Sequence, residues 1–234
     1  MRICLVSSSF YPATFYGGPI SATWDLSKNL SDRNIEVFVS TTNANGNKKL
    51  DVLTNKFIKQ HQNLFVKYYD EQILNKFSLQ FILGIWSDIK KSDVVYIQYL
   101  FHYTVFFALI FSVLQNKKTI VCPRGSLSTF TLRNKLTVIK SLWISFFIQP
   151  FSQKIIWQAS SYLEKQDILK RFSKATVEII SDGVDYLSFQ SIEQITRENI
   201  IKQFAEREFS QVSHLFFSMG RLHKIKGFDV LIDA

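Results

Sequence analysis

The sequence predicts an α/β protein built on a doubly wound parallel sheet, and three observations carry that prediction. Short apolar runs rich in β-branched residues recur along the chain and are parted by helical stretches: "RICLVSS", "IEVFVSTT", "LFVKYYD", "DVVYIQ", "KTIVCP", "KIIWQAS" and "TVEIIS". These runs are almost continuously apolar, as strands buried on both faces must be. The stretches between them have room for right-handed βαβ crossovers, so helices are expected on both faces of one sheet.

Each element has its own local reason. After the first strand a loop runs to Gly18, and "PISATWDLSKNLSDR" reads as a helix. Pro19 falls in its first turn, where a missing N–H is harmless. Ile20, Trp24 and Leu30 share a face of that helix, with Ala22 and Leu26 at its edge. The second strand ends in a polar loop, "NANGNKKLD", and the third leads into a helix over "EQILNKFSLQFILGIWSDIKK". "YTVFFALIFSVLQ" is apolar all round, as a buried helix is. Ser161 and Glu164 fit a capping box before "ILKRF". In the turn "SDGVD", Gly183 is expected at positive φ and Asp182 at a turn position. One sheet domain is complete over residues 1–186. A polar connecting helix is expected within 187–211. Residues 212–234 begin a second unit, with "SHLFFSMG" as a strand and "KGFDVLIDA" as the start of a helix.

Composition narrows the class of function. The 234 residues carry a formal charge of +9, a surplus that suits phosphates, anionic lipid heads or nucleic acid. The basic pairs Lys48–Lys49, Lys90–Lys91 and Lys117–Lys118 are scattered, and no nucleic-acid-reading signature occurs, so nucleic acid is not expected as a partner. Cys4 and Cys122 sit in expected buried strands, as free thiols of a reducing compartment do. No Cys/His cluster has zinc spacing, and no structural metal is expected. "MRICLVSSSF" is too short and too strand-like for a signal peptide. A cytoplasmic location follows, with the inner membrane face as an option. One stretch offers a rival reading. Val94 to Gln115 has no charged residue over nearly the length of a bilayer span. Dividing it into a strand and a helix is preferred, because that rhythm runs through the rest of the chain.

Five motifs, in order, resemble retaining glycosyltransferases of family 4, which have the GT-B fold. The opening through "GGPISATW" to "NIEVFV" is similar to that family's first strand, Gly-Gly loop, helix and second strand. "IVCPRGSLS", "ASSYLEKQDIL", "IISDGVD" and "SMGRLHKIKG" resemble its later motifs. The resemblance covers nearly the whole chain and is close to members that build bacterial surface polysaccharides. It implies two Rossmann-like domains facing across a cleft, the first binding the acceptor and the second the nucleotide sugar. It also implies that only the threshold of the second domain is present here, so that the chain is a truncated piece. The family's later Glu-x7-Glu region is not in these residues. The implied reaction transfers a sugar from a nucleotide diphosphate sugar to a glycan or lipid-linked acceptor. A lone acceptor-type domain, paired with a separate donor domain, is the alternative.

Specific residues can be weighed on their chemistry. Gly17 and Gly18, between strand and helix, would let backbone N–H groups face an anion such as the donor diphosphate, or would simply make a tight turn. Arg221 and Lys226 would meet the charge that builds on a leaving diphosphate, with no metal and no cofactor beyond the nucleotide sugar. Their bland reading is a solvated basic turn. No Asp-x-Asp sequence occurs. Arg124, at the end of a strand, is where doubly wound sheets take ligands, here the acceptor or the transferred sugar, or it caps a helix. Tyr96 and Gln98 depart from a His-x-His strand frequent in the family. His102 reads best as a core or helix-start histidine. "NKLTVIKSLWISFFIQPF" is aromatic over much of its surface and would either pack on the sheet or touch a membrane near a lipid-linked acceptor.

Overall fold

The computed structural model describes residues 1–72, 77–133, 136–183, 196, 199, 216, 218–220, 222 and 226–233. The chain divides into two compact units, Met1–Gly183 and Val184–Ala234. In the second unit the described helix is Phe228–Asp233.

The first unit holds an eight-stranded sheet. In chain order its elements are β1 (Arg2–Val6), α1 (Gly18–Asp32), β2 (Glu36–Thr42), a small hairpin of β3 (Ala44–Asn45) and β4 (Lys48–Lys49), β5 (Phe57–His61), β6 (Leu64–Tyr69), α2 (Leu79–Lys90) and β7 (Val94–Gln98). There follow α3 (Tyr103–Leu114), β8 (Lys118–Cys122), α4 (Thr129–Arg133), α5 (Thr137–Trp143), β9 (Ile156–Ala159), α6 (Tyr162–Arg171) and β10 (Thr176–Ile179). The sheet order is β10-β9-β8-β7-β1-β2-β6-β5, and every pairing in it is parallel except β5 with β6. The expected α/β architecture is therefore present, with one antiparallel edge strand, "FIKQH", that the sequence reading passed over. Its exposed Lys59 and Gln60 break the apolar run that marks the other strands.

Alternation along the strands makes two cores. Val6, Val95, Ile97, Val121, Trp157 and Ala159 face α2, α3 and α6. Leu5, Val37, Val39, Val66, Tyr96 and Cys122 face the other way, where Trp24, Leu26 and Leu30 of α1 pack on them. Cys4 and Cys122 are buried, unpaired thiols on opposite faces. The deepest line of α1 is not its apolar face but Thr23, Ser27 and Ser31, spaced four apart. Small hydroxyls let the helix sit close to the sheet, and each finds a partner. Thr23 Oγ1 bonds the Pro19 carbonyl (2.7 Å) and the Gln98 side-chain amide (2.6 Å), Ser27 Oγ donates to the Thr23 carbonyl (2.8 Å), and Ser31 Oγ accepts from the Asn63 amide (2.8 Å).

Three expectations need correction or refinement. The described helix α2 begins at Leu79 rather than near Glu71, because the Ser78 hydroxyl accepts from the Phe81 amide and caps it there (3.1 Å). Val94–Gln115 does not span a membrane: β7 lies inside the sheet between β1 and β8, and α3 is a separate 12-residue helix. Among the described residues no helix is long and apolar enough to cross a bilayer. Gly183 is not left-handed; positive φ is found instead in the separate loop after β8, at Arg124 (52°) and Gly125 (73°).

Candidate functional site

The strand order reverses direction at β1. From β1 the chain leaves through α1 on one face, and from its neighbour β7 it leaves through α3 on the other. Helices departing to opposite sides open a crevice beyond the carboxyl ends of the two strands, the place where such sheets take ligands. A cavity of about 550 Å³ lies there. Ser8 follows β1, Glu71 follows β6, and Phe101, His102 and Tyr103 follow β7. Leu136, Ile139, Lys140 and Trp143, around α5, form the facing wall, and Tyr16, Ala44 and Gly46 also line it.

Local bonds hold these side chains in place. His102 caps α3: its Nδ1 accepts from the Thr104 amide (3.4 Å) and lies 2.8 Å from Thr104 Oγ1. Desolvation pushes the His102 pKa down to about 4, so the ring is neutral at pH 7. Glu71 is almost fully buried; burial raises its pKa, and the Thr42 hydroxyl, donating to Oε1 at 3.0 Å, opposes that shift. Trp143 is anchored through Nε1 to the Leu100 carbonyl (2.8 Å), and Tyr103 Oη accepts from the Ser78 amide (2.9 Å). Gly46 is a glycine for two reasons. Its φ is 68°, and an added Cβ would come within 2.7 Å of the Phe15 ring. The result is a largely aromatic trough with a carboxylate and an ammonium group at its walls. That composition suits stacking on the C–H face of a sugar ring while polar groups take its hydroxyls.

Of the residues singled out in the first unit, Gly17, Gly18 and Arg124 do not line this cavity. Gly17 (φ 74°) is the N-cap of α1, and Gly18 begins the helix with open space where a Cβ would be. The adjoining Tyr16 lines the cavity. Arg124 follows β8. Its side chain is 6% exposed and ion-paired through Nη1 to Asp182. It does not line the cavity. Lys226 is exposed in the second unit, and a Cβ at Gly220 would lie 3.5 Å from its side chain. Arg221 lies outside the described residues. Ser161 caps α6, accepting from the Glu164 amide (3.2 Å) as expected. The Glu164 carboxylate goes further than a capping box: it accepts from the Ser160 amide (2.7 Å) and the Gly125 amide (2.6 Å), tying the β8 and β9 loops together.

Sequence reasoning missed Glu71, Phe101 and Trp143. Nothing local marks them, since they converge from two loops and the end of α5 only after the sheet has formed. The sign that could have been used is position, because each follows closely on a predicted strand or lies in the aromatic stretch after Asn134.

The chain matches no protein-family model and no curated protein sequence. Its fold does match solved structures. Sucrose-phosphate synthase from Thermosynechococcus elongatus superposes with a TM-score of 0.56 at 11% identity, covering 78% of this chain and 48% of that one. Alr3699/HepE from Anabaena in complex with UDP-glucose gives 0.55 at 16% identity, covering 87% and 48%. The same protein with UDP and glucose gives 0.56 at 14%, covering 88% and 50%. The chain thus spans about half the length of these structures. At such identities the likeness is one of fold, and it identifies a Rossmann-like α/β domain consistent with one lobe of a GT-B structure.

Proposed function

We propose that this chain supplies the acceptor-binding lobe of a retaining glycosyltransferase. The enzyme would transfer a sugar from a nucleotide diphosphate sugar to a glycan or lipid-linked acceptor, in building surface polysaccharide. The observation that carries this reading is the aromatic trough at the crevice beyond β1 and β7, which has the size and lining for a saccharide. Two structures that share the fold hold UDP-glucose or UDP with glucose, which supports the nucleotide-sugar class. In this reading the N-terminus of α1, with Gly17 and Gly18, faces the donor diphosphate. Arg221 and Lys226, from the second unit, meet the charge on the leaving phosphate without a metal. The acceptor lies over Trp143 and Phe101, with Glu71 orienting its hydroxyls.

The outer side of α5 and the turn after it fit a cytoplasmic enzyme resting on the inner face of a membrane. Val138, Leu142 and Phe146 are each more than half exposed there. A second reading keeps the binding and drops the chemistry. The lining residues of the cavity all belong to Met1–Gly183, as they would in a non-catalytic domain that partners a separate donor domain.

The test is titration of the purified chain with free saccharides and with nucleotide sugars, followed by tryptophan fluorescence. Saccharides are expected to change the Trp143 signal, and Trp143→Phe to abolish the change. Transfer to the bound saccharide when a donor domain is supplied separates the first reading from the second. Absence of any saccharide response would refute both.

A further inference from the structure

A second group of side chains beside the crevice has unmet hydrogen bonds. Arg124 is buried, yet only its Nη1 is paired, to Asp182. Its Nε and Nη2 are sealed from solvent and bond to nothing among the described residues. These two nitrogens form one edge of the guanidinium, and their N–H bonds run parallel. That edge grips a carboxylate or phosphate with two bonds. On the neighbouring strand β7, Tyr96 and Gln98 point to one face, and both are buried. Tyr96 Oη lies against the Cys122 thiol, and the Gln98 amide is bonded to Thr23 Oγ1. The two free Arg124 nitrogens thus sit at the end of β8 beside buried polar groups of the adjacent strand, and both can only donate. Buried donors left unpaired are costly, so this pair calls for an acceptor.

The backbone here is also committed. Arg124 (φ 52°) and Tyr99 (φ 68°) are both left-handed non-glycine residues, and the Tyr99 amide is bonded to the Cys122 carbonyl (2.9 Å). Strained conformations of this kind persist where the surroundings enforce them, and they gather at ligand sites. Glu164 supplies the enforcement by holding the next amide, Gly125.

We infer that the Nε–Nη2 edge of Arg124 binds an oxyanion, the carboxylate or phosphate of an acidic sugar substrate, with Tyr96 and Gln98 as flanking donors. Asp182 holds the other nitrogen, Nη1, with its own side chain 46% exposed, which leaves the Nε–Nη2 edge for the ligand. The inference rests on the sugar-transfer reading for the sugar and on Arg124 for the acid.

The experiment titrates the 234-residue chain with D-glucuronate, D-glucose 6-phosphate and D-glucose. The variants are Arg124→Lys, Asp182→Asn and Tyr96→Phe. An acidic sugar is expected to bind about tenfold or more tighter than glucose, and Arg124→Lys, which keeps the charge but loses the fork, to remove that preference. Comparison of the two acids tells carboxylate from phosphate. Asp182→Asn should tighten acid binding by freeing the guanidinium. Tyr96→Phe deletes only a hydroxyl that lies against the Cys122 thiol, and should weaken acid binding even if Arg124→Lys does not fold. Acidic and neutral sugars binding alike, or a preference untouched by Arg124→Lys and Tyr96→Phe, would overturn the inference. Neutral saccharides would still report on the aromatic trough in that case, so the transfer reading would stand or fall separately.

Discussion

Lys67 and Asp88 form an ion pair of 2.6 Å between β6 and α2, with the Asp88 side chain 3% exposed. The same carboxylate accepts from Ser40 Oγ (2.8 Å) and Tyr69 Oη (2.6 Å), so one residue fastens α2 to two strands. Asp88→Ala leaves a buried ammonium and two hydroxyls without their acceptor. The expected loss is about 3–5 kcal/mol of stability, the usual effect of breaking a buried pair. A fall in the urea midpoint with an unchanged slope would check it.

Gly84 sits on α2 where alanine would normally stabilise a helix. Here the Tyr69 ring lies against its Cα, and an added Cβ would overlap the phenol oxygen and ring carbons. Gly84→Ala is therefore expected to destabilise by about 1–3 kcal/mol through forced displacement. A thermal midpoint at or above that of the parent would disprove the crowding argument.

The cavity should make stability depend on pH in two opposed ways. His102 titrates near 6.5 in the unfolded chain and at about 4 when folded. Between those values the unfolded state takes up a proton that the folded state does not. Stability therefore falls as pH drops through that window, by at most about 1.4 kcal/mol per pH unit. His102→Asn keeps a capping side chain and should flatten this slope. Glu71 acts in the other direction. Burial raises its pKa, so its contribution is lost as pH rises through the raised value. Glu71→Gln should consequently raise the thermal midpoint at pH 7 relative to pH 4, as pH-dependent melting curves would record.

The exposed apolar side of α5 predicts affinity for anionic vesicles. Leu142→Glu with Phe146→Glu should abolish co-sedimentation with such vesicles while leaving the circular dichroism spectrum unchanged. Because surface substitutions of this kind alter stability by about 0.5 kcal/mol or less, lost binding would report on the surface and not on folding. Equal sedimentation of parent and variant would remove the membrane contact from the proposal.

Much of the fold was legible because burial on both faces writes itself into composition. The seven parallel strands are short apolar runs, and each can be read from the sequence. The edge strand β5 was not, since "FIKQH" is half solvated and lacks that signature. On α1 the apolar choice of Ile20, Trp24 and Leu30 does pack on the core, with Ile20 buried, but the buried Thr23, Ser27 and Ser31 were passed over. Hydropathy cannot see a face selected for small size. Gly17, Gly18 and Arg124 were marked by loop position and side-chain chemistry, and none of them lines the cavity. Glu71 and Trp143 were not marked, because their significance comes from a distant partner wall. The orphaned edge of Arg124 is a matter of which nitrogen meets Asp182, a relation that no spacing encodes.

A gap created by the route of the chain has an evolutionary consequence. The opening beside β1 comes from two helices diverging, so drift in side chains can change its chemistry without closing it. Descendants of one such scaffold could exchange nearly every residue and still inherit a place for a reaction, keeping the address while the occupant changes.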